Sequence, residues 1–177
     1  MGAGIGEGTT LVVRKFAPDE WRLYRDLRLS ALEESPNAFG STYAHEVQRS
    51  DDYWAERLLR GASSASNLPL IAELDGEPAG LAWARVDADV PAIVHLYQMW
   101  VAPERRKQGV GRALLDAAVS WARTTGADTL ALDVTIGNDA ARTLYERAGF
   151  RPVGDPKPLR PGSVVQSRSM HLSLRTP

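Results

Sequence analysis

The run Arg106-Lys107-Gln108-Gly109-Val110-Gly111 joins two segments of different period and so limits what can surround it. Before it, Ile93 to Val101 is an apolar stretch that reads as a strand. After it, Val110 to Arg123 reads as a helix, with Val110, Leu114, Ala117, Ala118 and Trp121 on one face. A strand handed to a helix through glycines lets backbone N–H groups converge with no Cβ in front of them. They converge at the helix end that carries roughly half a positive charge. Such a turn seats a phosphate or pyrophosphate; an ordinary tight helix start uses the same residues, and the loop alone does not separate the two.

The flanking chain predicts one domain over residues 10–174 behind a flexible tail at 1–9. Thr10 to Phe16 reads as a first strand. Pro18 opens a helix with Asp19 and Glu20 in its first turn and Trp21, Tyr24, Leu27 and Ala31 as its apolar face, ending near Ser35-Pro36. Asn37 to Glu46 has no clear period and is either a substrate wall or a packed connecting loop. A second helix starts at about Ser50 and carries Trp54 and Leu58. Leu68 to Leu74 and Gly80 to Val86 flank Asp75-Gly76, a hairpin signal because both central positions of a type I′ turn need positive φ. A third antiparallel strand runs from Ala92 to Val101.

Beyond the glycine helix, closed by Gly126, come a strand at Thr129 to Thr135 and a helix from Asp139 to Ala148 ending at Gly149. Phe150 to Val153 and Ser167 to Leu174 are the last strands, separated by a loop carrying Pro156, Pro158 and Pro161. The order β-α-α-β-β-β-α-β-α-β-β predicts an α/β fold of the α+β kind, one mixed sheet with helices packed on it.

Composition narrows the chemistry. At 177 residues, 44% hydrophobic and 24% charged, the chain can bury a core without staples. A formal net charge of −1 supplies no basic field for a nucleic acid. The absence of cysteine removes disulfides, thiolate metal sites and a cysteine nucleophile, and His45, His95 and His171 have no metal-ligand spacing, so no metal is expected. Gly2, Gly4, Gly6 and Gly8 form neither a signal peptide nor a dinucleotide fingerprint. The longest run without Asp, Glu, Lys or Arg, Val90 to Pro103, is too short for a membrane span, and a cytoplasmic protein is expected.

Two motifs together resemble the GNAT superfamily of N-acetyltransferases. Arg106, Gly109 and Gly111 fit its Arg/Gln-x-x-Gly-x-Gly/Ala pyrophosphate motif. Asn138, Ala141, Leu144, Tyr145, Gly149 and Phe150 fit its Asn-x-x-Ala-x-x-Leu-Tyr-x-x-x-Gly-Phe pattern at every named position. The resemblance implies a bulge that turns backbone groups near Met99, Trp100 and Val101 toward pantetheine and the thioester. It implies that the N–H groups of Lys107, Gln108, Gly109, Val110, Gly111 and Arg112 hold the pyrophosphate of acetyl-CoA, with charge added by Arg106 and Arg112. Asn138 is expected on the pantetheine arm or a phosphate, as a helix N-cap, or both. Tyr145 is the expected proton donor to the departing coenzyme A sulfur. With no nucleophile in sight, a primary amine of a small molecule would attack directly in a ternary complex. Its proton needs a base, for which Glu46, His95 and Asp133 stand as candidates. A noncatalytic acyl-CoA sensor and a protein or peptide N-acetyltransferase are the alternatives, and a homodimer is left open.

Overall fold

The computed structural model describes residues 8–176, so the expected tail at 1–9 lies outside the described residues except for Gly8 and Thr9. In chain order the elements are β1 (Leu11–Lys15), α1 (Trp21–Glu34), α2 (Tyr43–Glu46), α3 (Asp51–Ala62), β2 (Asn67–Leu74), β3 (Glu77–Val86), β4 (Ile93–Val101), α4 (Val110–Thr124), β5 (Thr129–Thr135), α5 (Asp139–Arg147), β6 (Arg151–Pro158) and β7 (Gln166–Ser173). The strands form one seven-stranded sheet in the order β1-β2-β3-β4-β5-β7-β6. All neighbours are antiparallel except β4 and β5, so the sheet is mixed, as the element order predicts.

Strand alternation divides the apolar side chains between two cores. Leu70, Ala72 and Leu74 of β2 and Ala82 and Ala84 of β3 meet Leu114, Leu115 and Ala118 of α4 on one face. Ile71, Leu81 and Trp83 alternate with them and meet Tyr24, Ala31 and Leu32 of α1 and Trp54 and Leu58 of α3 on the other. Full burial of a leucine such as Leu58 stabilises by roughly 1.5–3 kcal/mol.

β4 does not keep its alternation. Val94 and Leu96 belong to the α4 face, yet Trp100, an even number of residues on, belongs to the α1 face. The switch is a β-bulge: Trp83 pairs with Tyr97 and Leu81 with Trp100, so Ala82 alone opposes Gln98 and Met99. Gln98 takes φ 59°, and its Oε1 accepts a hydrogen bond from the buried Tyr24 hydroxyl at 2.9 Å, which holds the irregular residue against α1. The bulge thus falls slightly earlier than the Met99–Val101 segment read from sequence. Ladder pairing between β4 and β5 covers only Ile93, Val94 and His95 against Thr129, Leu130 and Ala131. Beyond His95 the edge of β4 has no strand beside it among the described residues, and the sheet opens.

Three local expectations are corrected. α1 begins at Trp21, not Pro18, because Glu20 turns back to accept from Ala17 N–H at 2.7 Å and to pair with Arg14 of β1. Its buried face is Tyr24, Arg28, Ala31 and Leu32, with an arginine among the apolar residues. The aperiodic Asn37 to Glu46 contains the single-turn α2, capped by Thr42. Pro156 and Pro158 lie within β6 instead of a loop. β6 is an edge strand, and its register shifts between Val153 and Lys157, so the missing proline N–H groups leave no central ladder unfilled. The hairpin turn is as read: Asp75 has φ 53° and Gly76 φ 81°.

Candidate active site

The glycine loop presents a row of unused donors. Arg106 N–H donates to Pro103 O and Ala113 N–H to Gly109 O. Between them the N–H groups of Lys107 to Arg112 reach no acceptor among the described residues. Lys107 and Gly109 both take left-handed φ, 60° and 82°, and Gly109 is the N-cap of α4. A Cβ on Gly109 would meet nothing within 4 Å, so the space beside that residue is open. Six unsatisfied N–H groups at the positive end of a fifteen-residue helix fit an anion of pyrophosphate size. The Arg106 side chain is turned elsewhere: Nε donates to Val101 O at 3.0 Å and Nη2 to Glu34 at 2.8 Å, tying the loop to β4 and α1. Trp100 Nε1 donates to the same Glu34 oxygen at 2.8 Å. Arg112 pairs with Asp116 one turn along α4.

Where β4 and β5 part, a cavity of about 940 Å³ opens, and it brings together Met99, His95, Asp133, Asn138 and Tyr145. Tyr145 lies on α5, packed at 5.7 Å against Phe150, and burial pushes its hydroxyl well above the ordinary phenol range. No protein group bonds that hydroxyl among the described residues, so it keeps its proton and a free direction toward the cavity. Asn138 Oδ1 accepts from Ala141 N–H at 3.2 Å, the N-cap role, and its amide NH₂ remains for a ligand.

The three candidate bases differ in their surroundings. His95 Nε2 lies 2.8 Å from Asp87 Oδ2 and its ring stacks on Tyr97. The N–H groups of Val90 and Asp89, together with His95, hold the Asp87 carboxyl below its ordinary range. Asp133 lines the cavity with both oxygens engaged, one by Ser169 Oγ at 2.6 Å and the other by Lys157 Nζ at 3.3 Å. Glu46 is buried, does not line the cavity, and leaves Oε2 without a partner among the described residues.

The opposite end of the cavity was legible only in part: the segment Asn37 to Glu46, read as either a substrate wall or a connecting loop, does contribute wall residues, whereas the side chains facing it from α1, α3 and β3 went unread. Phe39 and Gly40, from the aperiodic segment, form part of its wall, and that segment is fastened by Thr135 Oγ1 to Asn37 O at 2.6 Å and by Arg160 to Pro36 O and Phe39 O. Arg28 and Arg57 line this end with Tyr53 and Trp83. One signal was available: Arg28 falls four residues after Tyr24 and three before Ala31, on an otherwise apolar helix face. Asp87 behind His95 and Glu34 behind Arg106 left no sequence signal. Among the described residues no cluster of three His, Asp or Glu stands where it could hold a metal ion, and no helix is long and apolar enough to cross a membrane.

Comparison with known proteins adds three observations. The model of the acetyltransferase (GNAT) family matches residues 23–150. The chain is 36% identical over 151 residues to mycothiol acetyltransferase of Clavibacter michiganensis subsp. michiganensis, an alignment covering 84% of this chain and 46% of that protein. It spans less than half the length of the curated relatives it matches. Among solved structures, the GNAT-family acetyltransferase from Streptococcus pneumoniae superposes with TM-score 0.78 at 25% identity, covering 93% of this chain and 99% of that one. The Salmonella typhimurium protein yncA, solved with acetyl-CoA, superposes with TM-score 0.77 at 18% identity, covering 95% and 96%.

Proposed function

The chain belongs to the acetyltransferase (GNAT) family, and from that premise we propose that it transfers the acetyl group of acetyl-CoA to the primary amine of a small molecule by direct attack in a ternary complex. The observation that carries the reading is the row of unpartnered N–H groups from Lys107 to Arg112 at the start of α4, where a Cβ on Gly111 would lie 4.0 Å from Met99 of the cavity that holds Tyr145. Bound with its pyrophosphate on those donors, acetyl-CoA would supply a thioester whose acetyl group an amine can take. Asn138 would steady the pantetheine arm with its free NH₂. The edge of β4 after the bulge, at Met99 to Val101, would offer backbone N–H to the acetyl oxygen, a donor role that can contribute roughly 2.7–4 kcal/mol to the transition state.

Proton traffic then falls to two side chains. His95 is the best supported of the three bases: with Asp87 accepting from Nε2–H, the Nδ1 lone pair would take a proton from the incoming amine, directly or through a water. Asp133 already has its oxygens engaged by Ser169 and Lys157, and Glu46 does not line the cavity. Tyr145, kept protonated by burial, would donate to the departing sulfur. We place the reaction in the cytoplasm, with a small-molecule amine as the partner.

The test is thiol release from acetyl-CoA against a panel of amines. Tyr145→Phe should lower kcat by roughly a hundredfold while coenzyme A affinity stays within about threefold; an unchanged kcat removes the phenol from the chemistry. Tight coenzyme A binding by the native protein with no turnover on any amine would instead support an acyl-CoA sensor.

A further inference from the structure

Arg28 is 5% exposed, and its Nη1 is fully covered with no hydrogen-bond partner among the described residues. The guanidinium lies 4.7 Å over the Phe39 ring and lines the cavity. A buried cation without a counter-ion is costly, and burial draws its pKa downward. Arg57 enters the same end from α3, spending Nη1 on the Tyr53 hydroxyl at 2.8 Å. Glu46 is the nearest carboxylate in charge terms to both, yet its Oε2 also lacks a partner, so the opposite charges act through space without closing an ion pair. Arg60 and Arg85 line this end too, against Glu56, which sits 3.9 Å from Arg60. The cavity lining thus carries four arginines and Lys157 against Glu56 and Asp133, and Asp133 is already paired with Lys157.

This balance repels a plain cationic amine or a polyamine and leaves a place for an anion. The planar guanidinium fork matches a carboxylate, and Phe39, Tyr53 and Trp83 offer apolar walls beside it. We propose that the acceptor is an α-amino acid or a close analogue, held by its carboxylate on Arg28 and Arg57, with its side chain against these aromatic residues and its amine toward the β4–β5 opening. The assignment rests on the acetyl-transfer reading above for the fate of the amine, but the anion seat is a binding property in its own right.

Matched pairs that differ only by the carboxylate test it: phenylalanine against phenethylamine, leucine against isoamylamine, with spermidine as a polyamine and the aminophosphonate analogue of phenylalanine as the other oxyanion. The acids should exceed their decarboxylated twins by at least about tenfold in kcat/KM, the value of one charge-assisted hydrogen bond. Arg57→Gln should raise KM for the acids by about tenfold, lower it for the decarboxylated twins, which lose a repelling charge, and leave coenzyme A affinity nearly unchanged; Arg28→Gln should act in the same direction. Equal or better turnover of the decarboxylated amines or of spermidine would overturn the proposal, and preference for the phosphonate would overturn the carboxylate assignment. Should no amine release thiol, acetyl transfer fails while the seat is still judged by calorimetric titration of the acids into coenzyme A-saturated protein. Heat that Arg57→Gln abolishes upholds the seat, and no heat with any acid overturns it.

Discussion

Gly109 shows how one residue can serve an anion seat without any steric contact. Its φ of 82° favours glycine, yet a side chain there would enter open space. Substitution therefore acts through strain and charge, and two variants separate them. Gly109→Ala meets left-handed strain of roughly 1–2 kcal/mol and should weaken coenzyme A binding only modestly. Gly109→Asp tolerates that φ better than alanine does but sets a carboxylate before the free N–H groups, so its affinity should fall at least about tenfold below that of the alanine variant in a calorimetric titration. Native-like affinity in Gly109→Asp would move the pyrophosphate seat elsewhere. The neighbouring Arg106 teaches the reverse lesson. Its place in the motif suggests a phosphate ligand, whereas its guanidinium holds Val101 O and Glu34, so its contribution in this structure is to fix the loop's position.

At the scale of elements, the cavity depends on how α3 meets β3. A Cβ on Gly61 would stand 2.2 Å from Trp83 Cζ2, and Trp83 is pinned by its Nε1–H to Asn67 Oδ1 at 2.9 Å. Gly61→Ala should thus cost about 1–3 kcal/mol through overpacking, read as a lower urea midpoint, and should disturb acceptor KM before cofactor affinity because Trp83 lines the acceptor end. An unchanged midpoint would mean that the indole can move freely. No sequence pattern announces this contact, since it joins residues 22 apart through packing alone. What the sequence does reveal is local: the alternation of β2 and β3, the Asp75-Gly76 turn, and glycines at positive φ after α4 and α5, Gly126 at 79° and Gly149 at 101°. Readings failed where a tertiary partner decides. The start of α1 waits on the Arg14–Glu20 pair, the single turn of α2 is too short to show a period, and the position of the bulge follows from Tyr24 holding Gln98. The position of Arg28 on the apolar face of α1 hints at burial, but what it faces is set by Phe39 and the packing of α3.

Across the whole molecule, carboxylates tie distant parts of the chain together, and pH exposes their joint effect. Arg14 of β1 bridges Glu20 at the head of α1 and Glu73 of β2. The hydrogen bond from Arg14 holds the Glu20 carboxyl below its ordinary range. Asp128 is lowered by Arg175, which fastens the end of the chain beyond β7. Burial would raise Glu34, but hydrogen bonds from Ser35, Trp100 and Arg106 outweigh it and leave the group lowered. Each of these groups binds its proton more readily in the unfolded chain. Their stabilisation is therefore fully present above the unfolded values, near pH 4–4.5, and is lost as pH falls through the folded ones. Urea unfolding should give a free energy that declines from about pH 4.5 toward pH 2. Glu20→Gln should flatten the decline, while costing about 1 kcal/mol or less at neutral pH because the pair is partly exposed. Glu34 adds a functional consequence, because its protonation weakens the clamp on Arg106 and frees the glycine loop from α1. Coenzyme A affinity in the folded protein should accordingly weaken over the acidic window, and Glu34→Gln should reproduce that weakening at neutral pH. Native-like coenzyme A affinity in Glu34→Gln at neutral pH would show that the loop holds its shape without the clamp.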